Sequence, residues 1–533
     1  MHPVLEKPVK TRQASIRLML SVHFDAARLA PSRYIMAMWW RLLGKRVRSR
    51  GQLAPLLAMS RQAYGLWLLG ESDEQEATTG TTPPIVVLIE ETGEDIAPTL
   101  HSVSQEGLEA LVIGSSEVPT LAAAAQRIDW DSAPWLMPLA AGDILADGAA
   151  NAYRAAAAAA EGGVVYGDDD LVDHRNRRMT PHFKPEWNSE LFRHFDWITG
   201  ACIVRACRQD LIDSTGPGWP TRLTASALTR GMPSHVTRVL HHRRSRPLPR
   251  IPSAVNFSMA ATPPVTVIIP TRNRVDLLRT CCEGLEKTDY PDFDVIVVDN
   301  GSDDPATLDY LSALPARYRV LRHPGPFNFS ALNNRAADVA AGQLLCLLNN
   351  DIEVIEPSWL KKLAVQAQRP EVGAVGAQLL YPDGRIQHAG VVLGVGGGAA
   401  HAHRFLRPDA EGYFRRHALP QFVSAVTAAC LVVQRDRFMA VGGFDETAFK
   451  VAFNDVDLCM RLNQRGWQSF YEPRACLVHH ESVSRGWDRD PIGAARLAGE
   501  IASLQSRWKT QEWVDPFHHP QLNRFSEQFV VQL

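Results

Sequence analysis

From residue 85 onward, short β-branched apolar runs alternate with amphipathic stretches. Residues 85–89 read as a buried strand, 97–105 as a short helix and 110–113 as a second strand. An Ala-rich helix over 149–160 ends at Gly162 and Gly163, and 164–166 is strand-like. The pattern restarts at 265. Residues 265–269 form a strand ending at Pro270, and 275–285 a helix. Residues 295–298 form a strand that runs into Asp299-Asn300-Gly301-Ser302. A helix over 307–314, a strand over 318–321 and a helix over 331–341 follow, and the strand 344–348 runs into Asn349-Asn350-Asp351. Such alternation predicts α/β units with mostly parallel sheets. Two runs of it suggest an internal duplication, with 85–89 matching 265–269 and 110–113 matching 295–298.

Upstream the pattern is different. Residues 1–80 read as a basic helical arm whose apolar positions, spread over 16–43, are interleaved with arginines. Two accounts fit: a helix resting on an anionic membrane surface, or an arm packed on the rest of the protein. Residues 71–84 read as an acidic, Thr/Gly/Pro-rich linker. The expected division is an arm and linker over 1–80, an α/β domain over 81–250, a linker over 251–264, a second α/β domain over 265–490 and a helical tail over 491–533.

Charge sharpens this division. The 533 residues carry a net charge of −2, but residues 1–50 hold eleven Lys/Arg against two Asp/Glu, a local +9. The remainder then has 45 basic and 56 acidic groups, or −11. A nucleic-acid binder would spread basic surface over its folded part, so no nucleic-acid partner is expected. Eight cysteines show no CxxC spacing, which suits reduced thiols in a cytoplasmic protein. The longest apolar runs, 428–433 and 34–40, fall far short of the ~20 residues a spanning helix needs. The apolar run 18–20 has no cleavage site behind it, so no signal peptide is expected.

Polar residues gather just past the predicted strand ends, the edge at which open α/β sheets bind ligands. Asp299 would accept the N–H of a pyrimidine, with Thr271 and Asn273 near the same nucleoside; each is equally a good turn residue. Asp351 is placed to hold a divalent cation alongside substrate phosphates. Asp455 and Asp457 open a helix over 458–465. Capping explains one acid there, and a second is available as a general base. His479 and His480 follow a strand-like run, so at most one faces a given site. Neither GxGxxG nor GxxxxGK[ST] follows the first strand, which disfavours a dinucleotide site and a P-loop.

The set PTRNR, VVDNGS, LLNND, FNDVDLCMRL and LVHHES, in this order, resembles the family-two inverting glycosyltransferases of the GT-A fold. The likeness covers about 264–508. It is nearest the bacterial enzymes of O-antigen and surface-polysaccharide synthesis, including the rhamnosyltransferase-like group. HPGPFNFSALNNRA and DGRIQHAGVVLG also look typical of that subgroup. The resemblance implies that Thr271, Asn273 and Asp299 hold the donor nucleoside, and that Asp351 ends the DxD motif and binds Mg²⁺ or Mn²⁺. It also implies that His479 completes the metal site, with His480 the runner-up. Asp455 would be the catalytic base and Asp457 a supporting residue. Asn349 replaces the first Asp of the motif, and Asn454 stands where many relatives have Glu.

Residues 85–250 resemble the same fold in degenerate form, through 164–192 and 234–243. Ala141-Gly142-Asp143 stands at the metal motif, Gly114 where the second unit has Asp299, and 220–230 contains no acid. The expected architecture is therefore two tandem GT-A-like, Rossmann-like α/β domains, the first degenerate, behind a basic helical arm. The expected activity is inverting, metal-dependent transfer from a UDP- or dTDP-sugar to a glycan or lipid-linked saccharide, on or near the cytoplasmic face of the inner membrane. The alternative is a non-catalytic carbohydrate-binding or scaffold protein of the same fold. A nucleotidyltransferase would favour a glycine-rich loop after the first strand, and 270–274 has no glycine.

Overall fold

The structure is a computed structural model that describes residues 12–71, 83–91, 93–252, 262–480 and 491–533. The expected linkers lie largely outside the described residues.

The arm is four helices: α1 (Arg12–Leu29), α2 (Pro31–Leu42), α3 (Arg46–Ala58) and α4 (Ala63–Gly70). Pro31 opens α2, where its missing N–H costs nothing. Val22 and Ala26 of α1, Ala37 of α2 and Leu53 and Leu56 of α3 are buried. The side chains of α4 secure the arm to the body: Tyr64 donates to Asp170 at 2.7 Å, and Trp67 packs on Phe183.

The first unit builds one sheet from β1 (Ile85–Glu90), β2 (Glu109–Ile113), β3 (Trp135–Ala140), β4 (Ile144–Leu145), β5 (Val164–Val172), β6 (Arg178–His182), β7 (Cys202–Arg205) and β8 (Ser234–Arg243). Its order is β2-β1-β3-β7-β5-β8-β4, with β6 beside β5. The second unit begins with β9 (Val265–Thr271), β10 (Phe293–Asp299), β11 (Tyr318–Arg322), β12 (Leu344–Leu348), β13 (Ile352–Val354), β14 (Val372–Leu380) and β15 (Ile386–His388). A separate hairpin, β16 (Val391–Leu393) and β17 (Ala399–His401), precedes β18 (Gln421–Val423), β19 (Cys430–Gln434) and β20 (Gln468–His479). The second order is β11-β10-β9-β12-β19-β14-β20-β13, with β15 beside β14 and β18 beside β20.

Without β11 and β18 the two sheets are equivalent strand for strand. β1 is parallel to both β2 and β3, as β9 is to β10 and β12. β7 runs antiparallel between β3 and β5, as β19 does between β12 and β14. β8 lies parallel to β5 and antiparallel to β4, as β20 does to β14 and β13. Each sheet is thus parallel on one side and mixed on the other, and the duplication extends well beyond the strands that sequence matched.

Two prolines sit where the ladder allows them. β9 continues through Pro270 to Thr271, because β12 pairs with it only as far as Ile268 and leaves one neighbour beyond. β3, which the sequence pattern does not predict, tolerates Pro138 because β7 reaches only Trp135 and Leu136. Apolar side chains pack both faces of each sheet, and Leu419 of the second unit completes a core of the first. The helix Pro491–Trp508 packs on the second unit through Leu504 and Trp508. The chain then crosses to the first unit, where the Glu186 N–H donates to the Pro516 carbonyl at 2.8 Å.

Candidate active site

The strand ends of β9, β10 and β12 and the end of β20 bring most of the expected residues together. Asp299 ends β10 and is fully buried. Its Oδ1 accepts the Ser302 N–H at 2.9 Å. Its Oδ2 makes no hydrogen bond, and the Arg322 guanidinium lies 3.3 Å away. A buried carboxylate oxygen left without a donor is costly unless a ligand supplies one. Thr271 Oγ1 accepts from the Asn350 side chain at 3.0 Å, tying the end of β9 to the loop after β12. Asn273 has a left-handed backbone, φ 54°. Its side chain donates to Asp303 and accepts the N–H groups of Asp303 and Asp304, so it clamps two loops.

Asp351 follows β12 and is buried. Its Oδ1 has no hydrogen bond and faces His479 Nε2 at 3.1 Å. β13 pairs with β20 in a register that sets Ile352 opposite His479, and this brings the two side chains together. The Asn349 amide lies 3.2 Å from the same Nε2. On its other side, His479 Nδ1 donates to Gln387 Oε1 at 2.7 Å. An amide oxygen only accepts, so the proton sits on Nδ1 and leaves the Nε2 lone pair for Asp351's side. A carboxylate oxygen and an imidazole nitrogen converging in this way suit a hard or borderline divalent cation. Burial raises the Asp351 carboxyl, but the imidazole outweighs it and holds it below the usual carboxylate range. His480 turns away, to Glu353 at 2.9 Å.

Asp455 lies in the first turn of the helix Asn454–Gln464. Phe453 precedes it with φ 61°, a strained left-handed turn of the kind that collects at functional sites. The Asp455 carboxylate accepts the N–H groups of Ala428 at 3.0 Å and Val456 at 2.9 Å. Next along the same segment, the Ala429 carbonyl accepts the Asn349 N–H at 3.0 Å, linking the acid to the metal motif. Burial pushes the Asp455 carboxyl above its ordinary value against these donors. Asp457 is fully buried and accepts from Arg461, Arg507 and Trp508, at 2.8, 2.8 and 3.0 Å. It fastens this helix to the helix Pro491–Trp508.

Sequence reasoning missed Gln387. It lies within DGRIQHAGVVLG, but that stretch carries no charge at the position to suggest a role.

The first unit shows what the same positions become without the pair. β4 and β8 set Ile144 opposite His242, as β13 and β20 set Ile352 opposite His479. Asp143 and His242 therefore stand where Asp351 and His479 stand. Arg243 lies 3.5 Å from Asp143, whose Oδ1 accepts the Arg244 N–H at 2.8 Å. Burial pushes the Asp143 carboxyl up to about 6. His242 has turned to Asp170 at 2.7 Å.

Asp168, Asp169 and Asp170 on β5 are fully buried and partnered. Asp169 pairs with Arg246 and, at 2.9 Å, with Lys184. Asp168, His235 and His519 lie close enough to suggest a second metal site. Their hydrogen bonds oppose it. His519 Nδ1 accepts the Gln521 N–H at 3.0 Å, so its proton is on Nε2, 2.9 Å from Asp168. His235 lies between Asp168 at 3.0 Å and Glu186 at 3.2 Å, which suits a proton on both nitrogens. Consistently, these carboxylates raise His235, although burial opposes them. A proton on His235 competes with a cation there, and the cluster is a polar lock between the first unit and the tail, although Asp168 Oδ2 and His519 Nε2 make no hydrogen bond with each other. A cavity of about 730 Å³ lies at the opposite end of the first unit's strands, near Pro84, Trp130 and Trp135, and none of the expected site residues lines it.

Residues 266–431 match the profile of Glycosyl transferase family 2, so the second unit is a domain of that family. The chain is 37% identical over 417 residues to the uncharacterized protein y4gI of Sinorhizobium fredii, covering 69% of this chain and 46% of that one. It is 34% identical over 411 residues to the O-antigen biosynthesis protein RfbC of Myxococcus xanthus, covering 67% and 31%. Over 230 residues it is 29% identical to the N-acetylglucosaminyl-diphospho-decaprenol L-rhamnosyltransferase of Mycobacterium tuberculosis, covering 39% and 72%. The chain spans less than half the length of the first two relatives. Among solved structures, the mannosyltransferase PcManGT of Pyrobaculum calidifontis, in complex with GDP-Man and Mn²⁺, aligns with a TM-score of 0.36 and 18% identity over 49% of this chain and 68% of that one.

Proposed function

We propose that the chain is an inverting glycosyltransferase, dependent on a divalent cation, that moves a sugar from a UDP- or dTDP-sugar to a glycan or lipid-linked saccharide during surface-polysaccharide synthesis. The carrying observation is the open pair Asp351 Oδ1 and His479 Nε2 within a family 2 domain. Asp299 Oδ2 takes the N3–H that uracil and thymine share. Asp351 and His479 hold Mg²⁺ or Mn²⁺, which when bound supplies Lewis-acid stabilisation of the leaving diphosphate. Asp455 accepts the proton of the acceptor hydroxyl as that oxygen attacks the anomeric carbon. One base suffices for inversion; in glycoside hydrolysis, by analogy, retention needs a carboxylate nucleophile as well.

The first unit serves as structure in this reading, since Arg243 takes the cation's place beside Asp143. The test is a screen of nucleotide sugars with the purified chain, detecting released nucleoside diphosphate with and without EDTA. Release from no UDP- or dTDP-sugar, with any acceptor, would leave the non-catalytic binding reading in its place.

A further inference from the structure

The two sequence readings of the arm divide between its faces. The inner face is packed. Val22 and Ala26 of α1 and Ala37 of α2 are covered, and Asp25 accepts from Ser60 at 2.6 Å. The outer face is apolar as well. Ile16, Leu20 and Phe24 follow at intervals of four on α1, on the side opposite Val22 and Ala26, and are 50%, 65% and 69% exposed. Ile35, Trp39 and Leu42 repeat the pattern on α2 opposite Ala37, at 67%, 56% and 80%. Exposed apolar stripes on two successive helices mark a binding surface, since single exposed apolar residues would be scattered.

Charge selects the occupant. Residues 12–70 contain ten Lys/Arg and one acid, Asp25, which Ser60 already engages. Arg17, Arg28, Arg33, Arg41, Lys45 and Arg46 are exposed around the stripes. A second copy of this face would meet it with the same charge. Residues 1–11 add two lysines and one glutamate, so they offer no complement. A surface both apolar and anionic fits, with rings and aliphatic chains entering the headgroup region and guanidinium groups on phosphates.

We propose that the outer face of α1 and α2 is a docking surface for an anionic lipid bilayer. No helix among the described residues is long and apolar enough to cross a membrane, so this face lies along the bilayer. α4 joins it to the body. Trp67 donates to Gln521 at 3.2 Å, and Arg178 pairs with Glu71 at 2.8 Å, so docking sets the orientation of both α/β units.

The test is flotation of the full chain with vesicles of phosphatidylcholine alone and of phosphatidylcholine mixed with phosphatidylglycerol, at low and high salt. Its readout involves no sugar transfer, so it stands or falls apart from the activity proposed above. The chain is expected to float only with the anionic vesicles and to be released by salt. Two variants are compared, each checked for folding by thermal melting: Leu20→Ser/Phe24→Ser/Ile35→Ser/Trp39→Ser and Arg28→Gln/Arg33→Gln/Arg41→Gln/Arg46→Gln. Each is expected to lose binding roughly tenfold or more. Equal flotation of either variant would overturn the proposal. So would binding to neutral vesicles alone, or a monomer–dimer shift in the apolar variant without any vesicle binding in the parent.

Discussion

Gln387 accepts the Nδ1 proton of His479 at 2.7 Å and so aims the imidazole's other nitrogen at Asp351. The amide decides which tautomer the histidine adopts, although it touches neither phosphate nor sugar in the proposed reaction. Loss of such a partner typically weakens a metal site by 10–100-fold. Gln387→Leu is expected to lower Mn²⁺ affinity by about that factor with the melting temperature little changed, as read by electron paramagnetic resonance titration. Gln387→Glu keeps an acceptor and should retain most of the affinity. Equal loss in both variants would mean that Gln387 acts through packing.

Asp455→Asn is expected to reduce transfer by ~10²–10⁴-fold while nucleoside diphosphate still binds. A base works only when deprotonated, so activity falls as pH is lowered. Burial raises this carboxyl, and the acid limb of kcat/KM should therefore lie above the usual carboxylate range of ~4. A limb at or below that range, or a variant of near-normal rate, would place the base elsewhere.

Chelation is expected to stop turnover, with Mg²⁺ or Mn²⁺ restoring it, and to leave the fold intact. Titration calorimetry should count one such ion per chain, because the first unit's corresponding aspartate faces Arg243. Asp351→Asn should abolish that binding, and Asp143→Asn should leave it unchanged. Two ions in the parent would give the first unit a site of its own.

The lock at Asp168 makes a stability prediction. Burial would raise its carboxyl, but His519 and His235 outweigh it and hold it low. Its contribution is therefore present above the unfolded pKa of ~4 and lost as pH falls through the native value. The raised His235 behaves oppositely: its contribution is complete below the unfolded value of ~6.5 and fades as pH rises through the native one. Asp168→Asn leaves the protonated His235 without its buried counter-charge and should cost about 3–5 kcal/mol in urea unfolding at neutral pH. His235→Gln should flatten the fall in stability on the alkaline side. An unchanged profile would mean that the ion pair is not the titrating element.

Much of the α/β pattern was legible because buried parallel strands write themselves as β-branched runs. The helix Ala97–Gln105 and the strand Leu344–Leu348 lie at their expected positions. β3 was hidden by Pro138, whose tolerance depends on how far a neighbouring strand reaches. β7, β14 and β19 return antiparallel or mixed, and periodicity carries no signal for strand direction. The candidate site was partly legible because its acids and histidines follow strands or open a helix. Gln387 was not, since an uncharged amide becomes meaningful only beside the ring it orients. Nor could spacing tell the histidines of the two units apart. His242 and His479 share a ladder position, and what separates them is the partner that turns each ring.

The tail that reaches Asp168 also carries a consequence for biosynthesis. The first unit's sheet is complete once residue 243 has been made, but His519 is added 276 residues later. At ribosomal speeds of about 5–20 residues per second that interval is roughly 14–55 s. Throughout it, Asp168 has only one of its two imidazoles in place. Tyr64 and Arg178 are already on hand for Asp170 and Lys184 for Asp169, with Arg246 following only three residues later. Of the three β5 aspartates only Asp168 takes a partner from the tail, so the contact that joins tail and first unit can form only after the second unit has been translated.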